Sequence, residues 1–275
     1  MTNLDRHTVD GFGDEWLRYD QSELSAQELN EIYSQYFNIF PWHLLKAKPI
    51  GYDLGCGSGR WAKIVADNVG QLHCIDASDG ALNVAKENLR EKGNCVFHHN
   101  SVDAIPLEDG SMDFGYSLGV LHHVPDTLAG IKSCTAKLKP GAPFLIYLYY
   151  AFDNRPFWFV LIWNISNIIR LVVSRLPYFM RYAVTQSIAT LVYYPLARAA
   201  YFLEKAGFSI ESFPLSNYRK LSFYTMRTDA LDRFGTRLEQ RFTRKQIEKM
   251  LRDAGLDKIE FSDSPPYWCA LGYKV

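Results

Sequence analysis

Three glycines at two-residue spacing, in Ile50-Gly51-Tyr52-Asp53-Leu54-Gly55-Cys56-Gly57-Ser58-Gly59-Arg60, constrain this chain more than any other stretch. Ile50 and Leu54 suit a short buried strand. Gly55, Gly57 and Gly59 remove Cβ atoms where the backbone must bend and let a ligand approach. Arg60 to Ala66 opens a helix, whose unpaired N–H groups and positive dipole end point back toward the turn. A strand, a glycine turn and a helix make a general site for a nucleotide-type ligand.

The spacing narrows the ligand. G-x-G-x-G departs from the dinucleotide fingerprint, whose third glycine would fall at Arg60, and no G-x-x-x-x-G-K-[ST] is present. Asp53 sits two residues before the first glycine, where a carboxylate repels phosphates and suits a cationic amino-acid ligand, directly or through water. Asp76 ends the next apolar run, Leu72-His73-Cys74-Ile75, where an acid accepts from both hydroxyls of a ribose. A ribose, a positive group and no phosphate describe S-adenosylmethionine.

Five blocks occur in order: Asp-Leu-Gly-Cys-Gly-Ser-Gly at 53–59, Ile75-Asp76-Ala77-Ser78, Leu107 to Phe114, Leu121-His122-His123-Val124-Pro125-Asp126 and Leu138-Lys139-Pro140-Gly141. Together they resemble the class I S-adenosylmethionine-dependent methyltransferases of small-molecule type, over roughly residues 45–150 and again near 240. The resemblance implies a Rossmann-like, doubly wound α/β fold. Its seven-stranded sheet would be mostly parallel with an antiparallel last strand. S-adenosyl-L-methionine would be the methyl donor and S-adenosyl-L-homocysteine the product. The cofactor contacts it implies are Asp53, Gly55, Cys56, Gly57, Gly59, Asp76, Ala77, Ser101, Val102 and Leu118. Ser101 and Val102 mark a departure, because relatives carry an acid followed by alanine at the positions five and four before the equivalent of Pro106. A serine still accepts from an adenine amino group, more weakly than a carboxylate; Asp103 is the alternative.

Lysine plus arginine and aspartate plus glutamate number 30 each, and a zero net charge argues against a nucleic-acid partner. Five scattered cysteines without a C-x-x-C pair, and no signal peptide at the polar N-terminus, read as a cytoplasmic protein with reduced thiols. No His/Cys/Asp spacing makes a zinc site. Periodicity predicts strands at 50–54, 71–76, 94–98, 112–117 and 143–149, alternating with helices at 60–69, 79–92 and 126–138, with Gly70 and Gly93 as helix C-caps. Such alternation implies a parallel sheet with helices on both faces and ligands at the strands' carboxyl ends, where Asp53, Asp76, Ser101 and Leu118 fall. Thr243 caps a helix ended by Gly255, and strands at 258–261 and 268–273 form an antiparallel edge. Ser264-Pro265-Pro266-Tyr267 between them resembles the Asp/Asn-Pro-Pro-Tyr motif of amino-methylating nucleic-acid enzymes, but follows the wrong strand and reads as a turn.

Residues 1–48 read as an N-terminal helical cap, 49–150 as the cofactor-binding core, 151–240 as a helical insertion after the fifth strand, and 241–275 as completion of the sheet. In the cap, a helix from Glu28 to Leu45 is broken by Pro41, and Trp16 and Tyr19 are expected to line the acceptor pocket. In the insertion, an apolar helix runs from Phe157 to about Leu176, short of the ~20 apolar residues that span a bilayer. A second helix, from about Tyr182 to Lys205, is bent at Pro195. Residues 151–205 carry six basic side chains against two acids. Three readings of the insertion are open. A lid over a bulky, greasy acceptor is favoured. Second is peripheral contact of 155–205 with an anionic membrane, at its inner face. Third is a homo-oligomer interface. Tyr224, Arg227 and Asp229 are the candidate polar acceptor contacts.

Methyl displacement mainly requires alignment of nucleophile, carbon and sulfur. A hydroxyl acceptor also needs a base, and His123 or Tyr224 is the candidate, ahead of His122; an imidazole pKa near ~6.5 suits this work. An oxygen on a sugar or natural-product intermediate is the first acceptor expected, and a membrane quinone or other lipid the second. A cofactor-binding module without catalysis is the alternative of a different class.

Overall fold

The first five strands are short, largely apolar and, except between the third and fourth, joined through helices, which favours a parallel sheet. They are β1 (Ile50–Leu54), β2 (Gln71–Asp76), β3 (Cys95–His99), β4 (Phe114–Leu118) and β5 (Pro143–Tyr147). With β6 (Leu256–Phe261) and β7 (Cys269–Lys274) they form one sheet in the order β3-β2-β1-β4-β5-β7-β6. The first five are parallel, and β7 runs antiparallel to both β5 and β6. The helices are α1 (Arg6–Arg18), α2 (Ala26–Phe37), α3 (Ala62–Val65), α4 (Asp79–Asn88), α5 (Thr127–Ala136), α6 (Phe157–Val173), α7 (Tyr178–Ile188), α8 (Tyr194–Lys205), α9 (Phe223–Gly235) and α10 (Arg244–Asp253). This computed structural model describes residues 2–275. Its contacts divide the chain into two units, one holding the chain up to Gln21 with Leu29–Ala151 and Leu238–Val275, the other Ser22–Glu28 with Phe152–Arg237.

In the first unit, alternation along each strand feeds two cores. Tyr52, Leu54, Phe144 and Ile146 pack with Ile131 of α5 and with Ile247 and Leu251 of α10 on one face. Leu72, Cys74, Phe114, Tyr116 and Leu145 pack with Val65, Leu82 and Phe37 on the other. Where β1 meets β4, each large ring faces a glycine: Gly51 pairs with Phe114 and Tyr52 with Gly115. A Cβ on Gly51 would lie 2.2 Å from the Phe114 ring, so the pair admits one ring only.

Several boundaries differ from the sequence reading. The helix expected over 60–69 is the four-residue α3 followed by a 3-10 turn at Ala66–Asn68, because the glycine turn extends through Gly59. α4 stops at Asn88, whose side chain donates to the carbonyls of Asp20 and Ser58 and so ties two loops together. Neither Gly70 nor Gly93 has the left-handed backbone of a C-cap. Gly70 is instead required for space, since a Cβ there would sit 2.5 Å from the Lys48 carbonyl oxygen. Thr243 and Gln246 form a reciprocal capping box at α10, and Gly255 follows that helix with φ +78°.

In the second unit, Met226, Ala230 and Phe234 of α9 pack with Val173 of α6, Ala189 and Tyr193 after α7, and Ala197 of α8. At Pro195 the helix departs from regular α geometry: the chain widens into a π-turn at Ala189–Tyr193 before α8 begins. Proline lacks the N–H that Leu191 O would otherwise receive, and its ring would collide with that carbonyl in regular α geometry.

Candidate functional site

The sheet order reverses between β1 and β4, and the glycine turn leaves β1 at that switch point. Gly55 and Gly57 have φ of +74° and +54°, a left-handed backbone that other residues adopt at a cost. Gly55 N–H and Cys56 N–H both donate to the Ile75 carbonyl, which closes the turn onto β2. Asp76 braces it from the other side. One carboxylate oxygen accepts from Gly57 N–H at 2.9 Å and the other from Ser78 N–H at 2.8 Å. Burial pushes the Asp76 pKa up, and these N–H bonds oppose the rise. A carboxylate has about four acceptor sites, so about two remain, the number a ribose diol needs.

Asp53 lies one strand over and is fully buried, with neither carboxylate oxygen hydrogen-bonded within the chain. Burial pushes its pKa up to about 8; the hydroxyl of Tyr116, its cross-strand neighbour on β4, opposes the rise, and Asp76 adds to it. A buried carboxyl with only the Tyr116 hydroxyl near it remains costly unless a cation meets it. An aminoacyl ammonium is such a cation.

At the end of β3, Ser101 Oγ donates to Asp103 at 2.5 Å. The structure thus joins the two candidate adenine contacts, and the Ser101 oxygen keeps its acceptor capacity. Val102 is buried beside them, and Ala77 O bonds to the His99 ring at 2.9 Å. Leu118 ends β4 and is buried.

The paired histidines occupy a 3-10 turn, Leu121–His123, beyond β4. His122 stacks on Tyr149 at 3.8 Å and accepts that residue's N–H. Burial holds its pKa well below 6.5, so it is a neutral packing group. His123 Nδ1 donates to the Leu238 carbonyl at 2.6 Å, which leaves Nε2 as the basic nitrogen. Gln240 secures the same turn, its N–H reaching His122 O and its side chain Val124 O. A segment near 240 thus holds His123, a brace that the sequence did not reveal.

The sequence reading of 1–48 as a helical cap did not bound its first helix, which the structure forms at Arg6–Arg18 over the glycine turn. Trp16 packs there: a Cβ on Gly57 would lie 3.0 Å from its indole, and Arg60 sits over the same ring. Tyr19 is buried. The overlooked signal was Gly13, a glycine inside a helix, where a Cβ would come 2.6 Å from Ser78 Oγ. Asn3 adds a two-bond clamp to the Asp126 backbone and a bond to Asp103.

Tyr224, Arg227 and Asp229 belong to the second unit, on α9. Tyr224 is buried, and Arg227 donates to Gln186 Oε1 at 2.6 Å and to the Tyr182 hydroxyl at 3.0 Å.

Residues 52–146, which contain the glycine turn, Asp76 and the histidine turn, match the family model described as a methyltransferase domain. Residues 52–146 thus carry a methyltransferase domain. The domain is 34% identical over 105 residues to the ubiquinone biosynthesis O-methyltransferase of Nitrosospira multiformis, a match covering 38% of this chain and 42% of that protein. It is 36% identical over 100 residues to phosphoethanolamine N-methyltransferase 2 of Caenorhabditis elegans, covering 35% of this chain and 23% of that protein. The chain therefore spans less than half the length of these relatives. A solved S-adenosylmethionine-dependent methyltransferase of Thermotoga maritima superimposes with a TM-score of 0.51 at 13% identity, covering 96% of this chain and 100% of that one, a likeness of fold. The methyltransferase domain thus shares its core with proteins named for an oxygen acceptor and for a nitrogen acceptor.

Proposed function

We propose that this chain transfers the methyl group of S-adenosylmethionine to an oxygen of a lipid-like, ring-bearing acceptor of the quinone-precursor class. The observation that carries methyl transfer is the pair of acids at the switch point: Asp53, buried without a partner, and Asp76, braced across the glycine turn with acceptor sites to spare. Support for the acceptor class comes from the relatives named for ubiquinone biosynthesis. The sugar acceptor expected first has no comparable support.

In this reading Asp76 holds the ribose diol and Asp53 the aminoacyl ammonium. Ser101 and Val102 hold the adenine edge, and Gly55 to Gly59, Ala77 and Leu118 shape the cradle. When bound, the cofactor supplies an electrophilic methyl carbon whose leaving group departs uncharged. The protein's remaining tasks are to orient the acceptor and take its proton. His123 is assigned that proton, because Leu238 O fixes its tautomer with the lone pair on Nε2. Trp16 is assigned to covering the glycine turn, and Tyr224, Arg227 and Asp229 to polar contacts with the acceptor.

The test is incubation with methyl-labelled cofactor and separated lipid, sugar and amine fractions of a cell extract. Label entering the lipid fraction supports the proposal. Label confined to the sugar or amine fraction refutes the acceptor class, and cofactor binding without transfer to any fraction identifies a non-catalytic module.

A further inference from the structure

Helix α6 buries polar side chains and exposes apolar ones. Arg170 is buried, with Nε on Asn167 and one guanidinium nitrogen on the carbonyls of Thr236 and Arg237, and Ser166 bonds the Trp163 carbonyl, while Asn164 is exposed. Its outward face carries Phe157, Leu161, Ile165, Ile168 and Val172, spaced three or four residues apart, with Trp158 alongside. Phe157 is 82% exposed and Ile168 64%. At 100° per residue these side chains share one half of the helix, and no charge interrupts them. A helix with this arrangement lacks an apolar neighbour for half its surface.

The charge of the segment that carries this face favours an anionic neighbour. From Asn154 to Leu203 the sequence contains no acid and five arginines. The second unit as a whole has eleven basic and seven acidic side chains, within a chain of zero net charge. Exposed cations include Arg175 just past α6 and Lys205 at the end of α8. Among the described residues, no helix is long and apolar enough to cross a membrane. At the end of α7 and in the π-turn after it, Val184, Ile188, Leu191 and Val192 line a shallow, open apolar depression.

We propose that the outward face of α6 docks in plane on an anionic lipid bilayer. Phe157 and Trp158 would sit at the headgroup boundary, and the isoleucine stripe would dip below it. The proposal does not depend on the acceptor, since docking requires neither cofactor nor methyl transfer.

The experiment is vesicle flotation of the full chain without cofactor, on phosphatidylcholine alone and on phosphatidylcholine with phosphatidylglycerol. Binding should be about thirtyfold or more stronger on the anionic vesicles, as expected of two to three interfacial cations, and should weaken with salt. The double variant Ile165→Glu/Ile168→Glu should float at least about tenfold less, with its circular dichroism and S-adenosylhomocysteine affinity unchanged. A readout independent of folding is quenching of Trp158 by brominated lipid, taken as the difference between wild type and Trp158→Phe. Absence of flotation, equal binding to neutral and anionic vesicles, or an unquenched Trp158 in vesicle-bound protein overturns the proposal. So does a lipid-free dimer that the double variant dissociates, which would assign the face to a second copy.

Discussion

Titrating cofactor affinity against pH addresses Asp53 directly. Its carboxyl is fully buried, lacks a hydrogen-bond partner in the chain, and has its pKa raised from 3.8 to about 8 by burial. In the free protein at neutral pH it is therefore mostly protonated. An ammonium group placed beside it favours the carboxylate, so binding expels the proton. With a pKa of about 8, ionising the group at pH ~7 costs about 1.4 kcal/mol, or about tenfold in affinity. Affinity for S-adenosylhomocysteine should rise about tenfold between pH ~6 and pH ~7, then level off toward pH ~8, where a free α-amino group itself begins to lose its proton. Calorimetry in buffers of different ionisation enthalpy should record close to one proton released per ligand at the acid end of this range. Asp53→Asn should flatten the profile and bind no better than wild type at its acid limit. The same group gives a second signature of fixed sign. A carboxyl whose folded pKa is raised contributes stability that is complete below its unfolded pKa of ~4 and is lost as pH rises through about 8. The ligand-free protein should accordingly melt at lower temperature as pH increases across that window, and Asp53→Asn should remove this trend. Affinity independent of pH, with no proton release, would refute the assignment of Asp53 to the ammonium.

Asp76→Asn keeps the shape but turns an N–H donor toward one of the two backbone N–H groups; cofactor affinity should fall by about 2–3 kcal/mol, and wild-type affinity in a calorimetric titration would remove Asp76 from the ribose. Gly55→Ala places a Cβ 2.3 Å from Val120 Cγ2 at a φ of +74°, so a loss of about 3 kcal/mol in denaturant unfolding is expected, and unchanged stability would contradict the turn as described. His123→Gln should lower kcat by about 10²–10⁴ with cofactor affinity preserved; a parallel loss of kcat and stability would mark the ring as a packing group against Phe12 and Tyr149.

The parts legible in the sequence are those in which neighbouring residues cause the structure. The glycine turn, the acids at the ends of β1 and β2, the capping box at Thr243 and the antiparallel edge are local consequences of residue type and spacing. Helix lengths were less legible: α4 ends at Asn88, whose side chain bonds to Asp20 and Ser58, which are distant in sequence. The cover over the glycine turn was hidden for the same reason. Charged and aromatic residues in Arg6–Arg18 mask a helix whose purpose is visible only once Gly13 meets Ser78 and Trp16 meets Gly57.

The histidine turn shows why the acceptor side is harder to read than the donor side. Every group assigned to the donor lies within residues 53–118, on strand ends fixed by the sheet. His123 instead depends on the carbonyl of Leu238, more than a hundred residues later, and on Gln240 beside it. That segment pairs with the extension of β5: Phe242 N–H reaches Tyr149 O and Ala151 N–H reaches Phe242 O. The residues that leave the first unit for the second, and those that return, are therefore hydrogen-bonded to each other. The return strand is also the one that sets the histidine's tautomer. A change at this stem, including one with no contact to a ligand, acts on the contacts that hold His123. Glu239 and Arg241, an ion pair with a buried carboxylate whose cation lies over Tyr149, form the part of the stem where that dependence is strongest, since removing either leaves a buried charge beside the histidines.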